Sequence, residues 1–171
     1  MGYERVSCNP GGIAIKNYTS KVPINETIED IERLLIKAGA RSISKEYNGE
    51  GEVTALNFMI MCPETKAPLG VRLPANWEQV KSVLVANTSS KRRRYSAASS
   101  RTTEQAKRTA WRLWYDWVAV QLSLIEMKQA EVLQVFLPYI WAGRETFYES
   151  LRADKFKALG YSGSKDGDKD A

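Results

Sequence analysis

The chain contains no histidine, and its only cysteines are Cys8 and Cys62. Without histidine it lacks the usual general base near neutral pH and the commonest metal ligand. Two cysteines so far apart, without CxxC spacing, make neither a zinc cluster nor a Cys-His nucleophile. Catalysis by carboxylates or lysine alone is left open by composition, but no spacing of such residues asks for it. Long apolar runs are missing too. No segment approaches the roughly 20 uncharged apolar residues of a membrane span, and Met1 to Pro10 hold no continuous apolar stretch of the kind a secretion signal carries. These absences lead to the expectation of a soluble, cytoplasmic, non-enzymatic protein with free thiols, no cofactor, no metal and no membrane partner.

What the chain does have is positive charge in one place. Between Lys91 and Arg112 stand Lys91, Arg92, Arg93, Arg94, Arg101, Lys107, Arg108 and Arg112 against the single acid Glu104. That stretch carries +7 while the whole chain carries +5, so the remainder is slightly acidic. A local cationic excess of this kind, flanked by Ser and Thr and carrying Tyr95, is the composition expected where a chain meets a polyanion. The length, 171 residues, suits one core and asks for no second large domain.

The pattern along the chain predicts an α+β fold: a small antiparallel sheet with packed helices, followed by a helical C-terminal half built on one long helix. Gly12 to Tyr18 alternates weakly and is expected as a first strand. Thr27-Ile28-Glu29-Asp30 reads as a capping box with Asp in place of Glu, opening a helix with Ile28, Ile31, Leu34, Leu35 and Ala38 on one face and Gly39 as its stop. Arg41 to Tyr47 and Glu52 to Met61 flank Asn48-Gly49-Glu50-Gly51, a strong hairpin signal, and Leu69 to Leu73 supplies a third strand between Pro68 and Pro74. Asn76 then caps a short helix carrying Trp77, Val80, Val83 and Leu84 and ending near Asn87.

Residues 88–101 are rich in Ser and Arg without apolar periodicity and read as a basic linker or long loop between an α+β unit, 1–87, and a helical region, 102–159. Thr102-Thr103-Glu104-Gln105 is a capping box for a long helix reaching about Met127. Ala106, Ala110, Leu113, Trp117, Val120 and Leu124 form one apolar stripe. Trp111, Trp114, Val118, Leu122 and Ile125 form a second beside it, leaving Arg108, Arg112, Asp116, Ala119, Ser123 and Glu126 as a narrow outer strip. A helix apolar over so much of its circumference must be covered on several sides, by the first unit or by a second subunit, and a homo-oligomer formed through this helix is expected. Shorter helices follow over Ala130 to Leu137 and Glu145 to Leu159. The tail, 160–171, alternates Lys and Asp with Gly and Ser and is expected to be disordered.

The block Thr109-Ala-Trp-Arg-Leu-Trp-Tyr-Asp-Trp-Val-Ala-Val-Gln-Leu-Ser-Leu-Ile-Glu126, followed by Val135-Phe-Leu-Pro-Tyr139, resembles a widespread group of small phage and prophage proteins without an assigned activity. The stretches Val22 to Ala40, Lys45 to Gly51 and Phe58 into Val71-Arg-Leu-Pro74 look like the same group. The resemblance implies a phage or prophage origin, hence a host-cell cytoplasm, and supplies no catalytic residues. Lys91 to Ser100 and the tail lie outside the matching blocks.

Candidate binding residues come from three places. In the basic run, Lys91, Arg92, Arg93, Arg94 and Arg101 would neutralise phosphates, Tyr95 would offer a face to a base, and Lys107 and Arg108 would extend the charge onto the helix. The same run also reads as a solvated linker whose charge keeps the chain soluble. On the first hairpin strand, Arg41, Ile43, Lys45 and Tyr47 share one face, mixing cations with an aromatic as in sheet-type nucleic-acid binders, or else turning Ile43 to the core while its neighbours snorkel to the edge. Arg72, between Val71 and Leu73, is a third candidate. Trp111, Trp114 and Trp117 read as core, Arg112 and Asp116 as a surface i,i+4 pair, and Glu50 and Glu52 as turn residues without a partner cluster. With no recognition helix or zinc finger in the sequence, sequence-independent binding of single-stranded DNA in replication or recombination is the leading expectation. The competing one is an inhibitor or adaptor that binds a host protein through charge and the apolar excess of the long helix.

Overall fold

A computed structural model describes residues 15–63, 65–86 and 99–160. The run Lys91 to Tyr95, the tail after Gly160 and the start of the expected first strand lie outside the described residues. The elements are α1 (Ile24–Lys37), β1 (Ser42–Tyr47), β2 (Val53–Met61), β3 (Pro68–Pro74), α2 (Trp77–Ala86), α3 (Ser100–Glu126), α4 (Val132–Phe136) and α5 (Phe147–Ala153), with single 3-10 turns at Leu137–Tyr139 and Lys157–Leu159. The fold is α+β, with an antiparallel sheet in the order β1-β2-β3.

The hairpin forms where its turn chemistry dictates. The Asn48 side-chain oxygen accepts the backbone N–H groups of Glu50 and Glu52, at 3.0 and 2.9 Å, and Gly51 takes φ +77° to close the loop. Glu46 pairs with Ala55 but Tyr47 pairs with Val53, so Thr54 is an extra residue on β2. This bulge resets the two-residue alternation, and Val53 joins Leu56 and Phe58 against the core.

One face of the sheet carries Leu56 and Phe58 of β2 with Val71 and Leu73 of β3. Ile28, Ile31 and Leu35 of α1, Trp111 and Val118 of α3 and Phe136 of α4 close over it in a single cluster. Edge-to-face ring contacts link Phe58 to Phe136, Phe136 to Trp117, and Trp117 to Trp114 and Tyr139. The Trp114 indole N–H donates to the Pro74 carbonyl at 2.8 Å. The three tryptophans of α3 are therefore core residues, as their helical spacing among Leu and Val predicts. On the opposite face, Arg72 makes a two-pronged pair with Glu46, and Asn57 donates to the same carboxylate at 2.9 Å.

Several local expectations are corrected. Lys16 to Thr19 form a turn in place of a strand. Asn17 sits at φ +64°, its amide donates to Asp116 at 2.7 Å, and its carbonyl accepts the Thr109 hydroxyl at 3.3 Å. Bonds to α3 replace the sheet ladder that weak alternation suggested.

Helix α1 begins a turn before its expected cap, directly after Pro23. Thr27 is buried inside it, with its hydroxyl donating to the Pro23 carbonyl. Helix α3 likewise starts at Ser100, and Thr102, read as its cap, is buried in its first turn. The last helix stops at Ala153 because Lys155 and Phe156 both take left-handed backbone conformations, φ +52° and +57°. Arg112 and Asp116 do not form the expected surface pair: Asp116 is held by Lys16 and Asn17, and Arg112 stacks on the Tyr115 ring and points toward Asp30.

The outer strip of α3 also differs. Val120 and Leu124 face outward with Ser123 and Glu126, because α1, α2, α4 and the sheet cover the other sides. Among the described residues no helix is long and apolar enough to cross a membrane.

Candidate nucleic-acid interface

Helix α3 passes the turn end of the hairpin, and a cleft of about 700 Å³ lies between them. Its walls are the start of α1, the β1–β2 turn, Trp77 at the head of α2 and the second and third turns of α3. Lys45 and Tyr47 enter it from β1, and Lys107 and Arg108 enter it from α3. Two groups of candidate residues that the sequence presents separately thus meet in one depression.

Lys107 is the most constrained of these. It is only 8% exposed, its ammonium lies 4.9 Å from the centre of the Trp77 ring, and it donates to the Glu52 carboxylate. The Asn48 amide donates to the other oxygen of Glu52 at 3.2 Å. The turn that makes the hairpin therefore also aims the carboxylate that holds Lys107. Hydrogen bonding from Lys107 holds the Glu52 carboxyl below its ordinary range, against a smaller opposing effect of burial. Glu52 is not the partnerless turn residue its neighbourhood in sequence suggests; its partner lies 55 positions away.

Lys45 is bound to Glu32 of α1 at 2.9 Å. Tyr47, 61% exposed, stands at the rim with its ring available to a ligand, while Trp111, 2% exposed, forms the floor. Arg108 donates from Nη2 to the Gln105 side chain at 3.2 Å and lies 4.0 Å from Glu104. Its Nε–H is buried without an acceptor among the described residues. Lys21, missed by the sequence reading, adds a fourth cation to the lining, against Glu29, Glu52 and Glu104. The balance is close to neutral, so the local charge at any point of the cleft depends on which cations are already engaged.

The remaining candidates are elsewhere. Arg41 is exposed at the far end of β1, where its N–H donates to the Met59 carbonyl. Arg72 lies on the opposite face of the sheet, bound to Glu46, with its guanidinium 5.9 Å from the Trp141 ring centre. Arg101 is exposed on the first turn of α3, outside the cleft lining. Lys91, Arg92, Arg93, Arg94 and Tyr95 fall outside the described residues, and the run they belong to joins α3 through Ser99.

Trp77 and Trp111 also escaped the sequence reading as site residues, since both scored as apolar positions of amphipathic helices. The available signal was Lys107 itself, one turn before Trp111 on an otherwise apolar side of α3, where a cation needs a carboxylate or a ring. Among the described residues no three of His, Cys, Asp and Glu are grouped to hold a metal. No family model matches the chain, and no curated protein and no solved structure matches it.

Proposed function

We propose that this chain is a non-enzymatic, phage-encoded protein that binds single-stranded DNA without sequence preference, in replication or recombination. The observation that supports the reading is the meeting of Lys45 and Tyr47 with Lys107 and Arg108 in one cleft with an aromatic floor and an exposed aromatic rim. Unstacked bases offer faces that Tyr47 can stack on, whereas a duplex hides them. The basic run Lys91 to Arg94, joined to α3 close to the cleft in sequence, supplies phosphate neutralisation and counterion release.

Fluorescence anisotropy of labelled single-stranded and duplex DNA and RNA oligomers, at two salt concentrations, tests the reading. Salt-sensitive binding that favours single-stranded DNA supports it, and absence of binding at low salt overturns it. Neutralising Lys91 to Arg94 weakens binding and flattens its salt dependence; unchanged affinity removes the run from the mechanism.

A second reading, an inhibitor or adaptor for a host protein, draws on a different observation. Val120, Leu124 and Met127 form an exposed apolar strip at the C-terminal end of α3, and Val120 and Met127 are 54% and 71% exposed. The same strip is where the homo-oligomer expected from the long helix would form. Pull-down from nuclease-treated host lysate, with light scattering of the purified chain, separates the two occupants: one stoichiometric foreign protein favours the inhibitor, and a concentration-dependent mass favours self-association.

A further inference from the structure

The cations of the cleft are not equivalent. Lys107 is committed to Glu52 and the Trp77 ring, and Lys45 to Glu32. An anion entering the cleft would have to break an existing ion pair to reach either of them. Arg108 is different. Its Nε–H has no acceptor among the described residues although the atom is buried, and the neighbouring Nη2 is bonded only to a neutral amide, Gln105, at 3.2 Å.

The Nε and Nη2 protons of a guanidinium point the same way, along the edge that grips two oxygens of a phosphate or carboxylate in parallel. Here one of those two donors is idle and the other is held by a group that carries no charge. The nearest carboxylate, Glu104, is 4.0 Å from Nη1, on the other side of the fork, and its side chain is half exposed to solvent. Leaving a buried donor unpaired is costly; the Nε–Nη2 edge opens to the cleft when the guanidinium swings off the Gln105 amide, and an oxyanion meeting it there removes that cost as well as contributing its own charge-assisted bonds.

From this we infer that Arg108 is the phosphate-accepting subsite of the cleft, taking two oxygens of one phosphate group on its Nε–Nη2 edge, with Lys21 as a second, solvated cation at the rim. The inference rests on the reading of the cleft as a nucleic-acid site and makes it more specific. It separates the residues that build the cleft, Lys45 and Lys107, from the one that meets the ligand. Single phosphates and the phosphodiesters of a strand share the chemistry, so both serve as probes.

The experiment has two arms. In the first, the arginine Nε–H resonance of Arg108 is followed by 15N–1H NMR in the unmodified protein, titrated with inorganic phosphate and with a short oligothymidylate. A saturable shift of that resonance with either probe is expected, and no shift with both overturns the subsite without reference to any variant. In the second, anisotropy compares Arg108→Lys, Arg108→Gln and the control Arg152→Gln, exposed on α5, on single-stranded DNA. Lysine keeps the charge but loses the two-donor edge, so Arg108→Lys should weaken binding about tenfold and Arg108→Gln more, with Arg152→Gln within about twofold.

If the strand binds and Arg108→Lys binds equally well, the subsite is wrong and the nucleic-acid reading survives. If phosphate shifts the resonance but no strand binds, the subsite stands and the nucleic-acid reading falls. Glu104→Gln gives a further check of sign. Removing the carboxylate nearest the fork should tighten binding about threefold, and weaker binding would count against Arg108 as the anion contact.

Discussion

The first half of α3 is poorer in apolar residues than the second, yet it holds most of the helix's buried positions. In its first half, Ala106, Thr109, Ala110 and Trp111 are buried, and even Lys107 is drawn in, because α1, α2 and the hairpin surround it. In its last two turns, Val120 and Leu124 stay exposed, followed by Met127 just beyond the end. Periodicity tells which faces of a helix could be buried; the number of neighbours that topology places around each turn decides which faces are. A lysine can therefore be more buried than a valine thirteen positions further along the same helix.

Truncation should expose this inversion most sharply. Trp111→Ala removes a fully buried indole from the centre of the cluster and should cost about 3–5 kcal/mol, read by urea or thermal unfolding. Val120→Ala, at the other end, should change stability by no more than about 0.5 kcal/mol. Comparable losses at both sites would mean that the exposed end is covered in solution.

The polar counterpart is Lys107→Ala. It leaves the Glu52 carboxylate without its ammonium partner, but that side chain is one third exposed and water partly replaces the lost bond, so about 1–2 kcal/mol is expected. The effect has a sign in pH. Pairing lowers the folded-state pKa of Glu52, so the unfolded chain binds more protons as the carboxylate range is entered from above. The stabilisation from Glu52 is fully present above its unfolded pKa and is lost as pH falls through its lower folded pKa. Glu46, held down chiefly by Arg72, and Glu149, held down by the Thr146 cap, act in the same direction. The unfolding free energies of the parent and of Glu52→Gln should therefore converge toward acid pH, and a gap that stayed constant would place the stabilisation elsewhere.

Smaller effects are expected at exposed positions. Tyr47→Ala should leave unfolding unchanged and weaken single-strand binding by about 1–3 kcal/mol, the range of one lost base stack, as measured by anisotropy. Leu124→Glu should leave the melting temperature of dilute protein within a degree or two while abolishing any concentration-dependent mass seen by light scattering.

Local chemistry made much of this fold legible. Asn48-Gly49 announces its hairpin, Pro68 and Pro74 bracket the third strand, and the spacing of Ile28, Ile31 and Leu35 gives the buried face of α1; each signal acts over a few residues. The corrected segments are those where a distant group outweighs the local signal. Asn17 adopts its left-handed turn in bonds with Asp116 and Thr109, which no window around Asn17 contains. The cleft was half legible for the same reason. Lys45 with Tyr47, and Lys107 with Arg108, stand out as pairs, but their convergence depends on which face of the sheet α3 crosses. Glu52 looks idle until Lys107 is brought beside it, and the chain continuity between Lys91 and Arg108 hides the difference between cations that are paired and one that is not.

The Asn48 side chain binds the turn and the Glu52 carboxylate together, and the residue after it is glycine, the neighbour that least obstructs attack of a backbone nitrogen on an asparagine amide. Deamidation there would exchange a donor for a carboxylate facing Glu52, and the ammonium of Lys107 would then be shared between two acids. The wall of the cleft thus carries its own clock: protein aged in solution should lose the geometry around Lys107 and Trp77 well before it loses its core, as one chemical event at a loop.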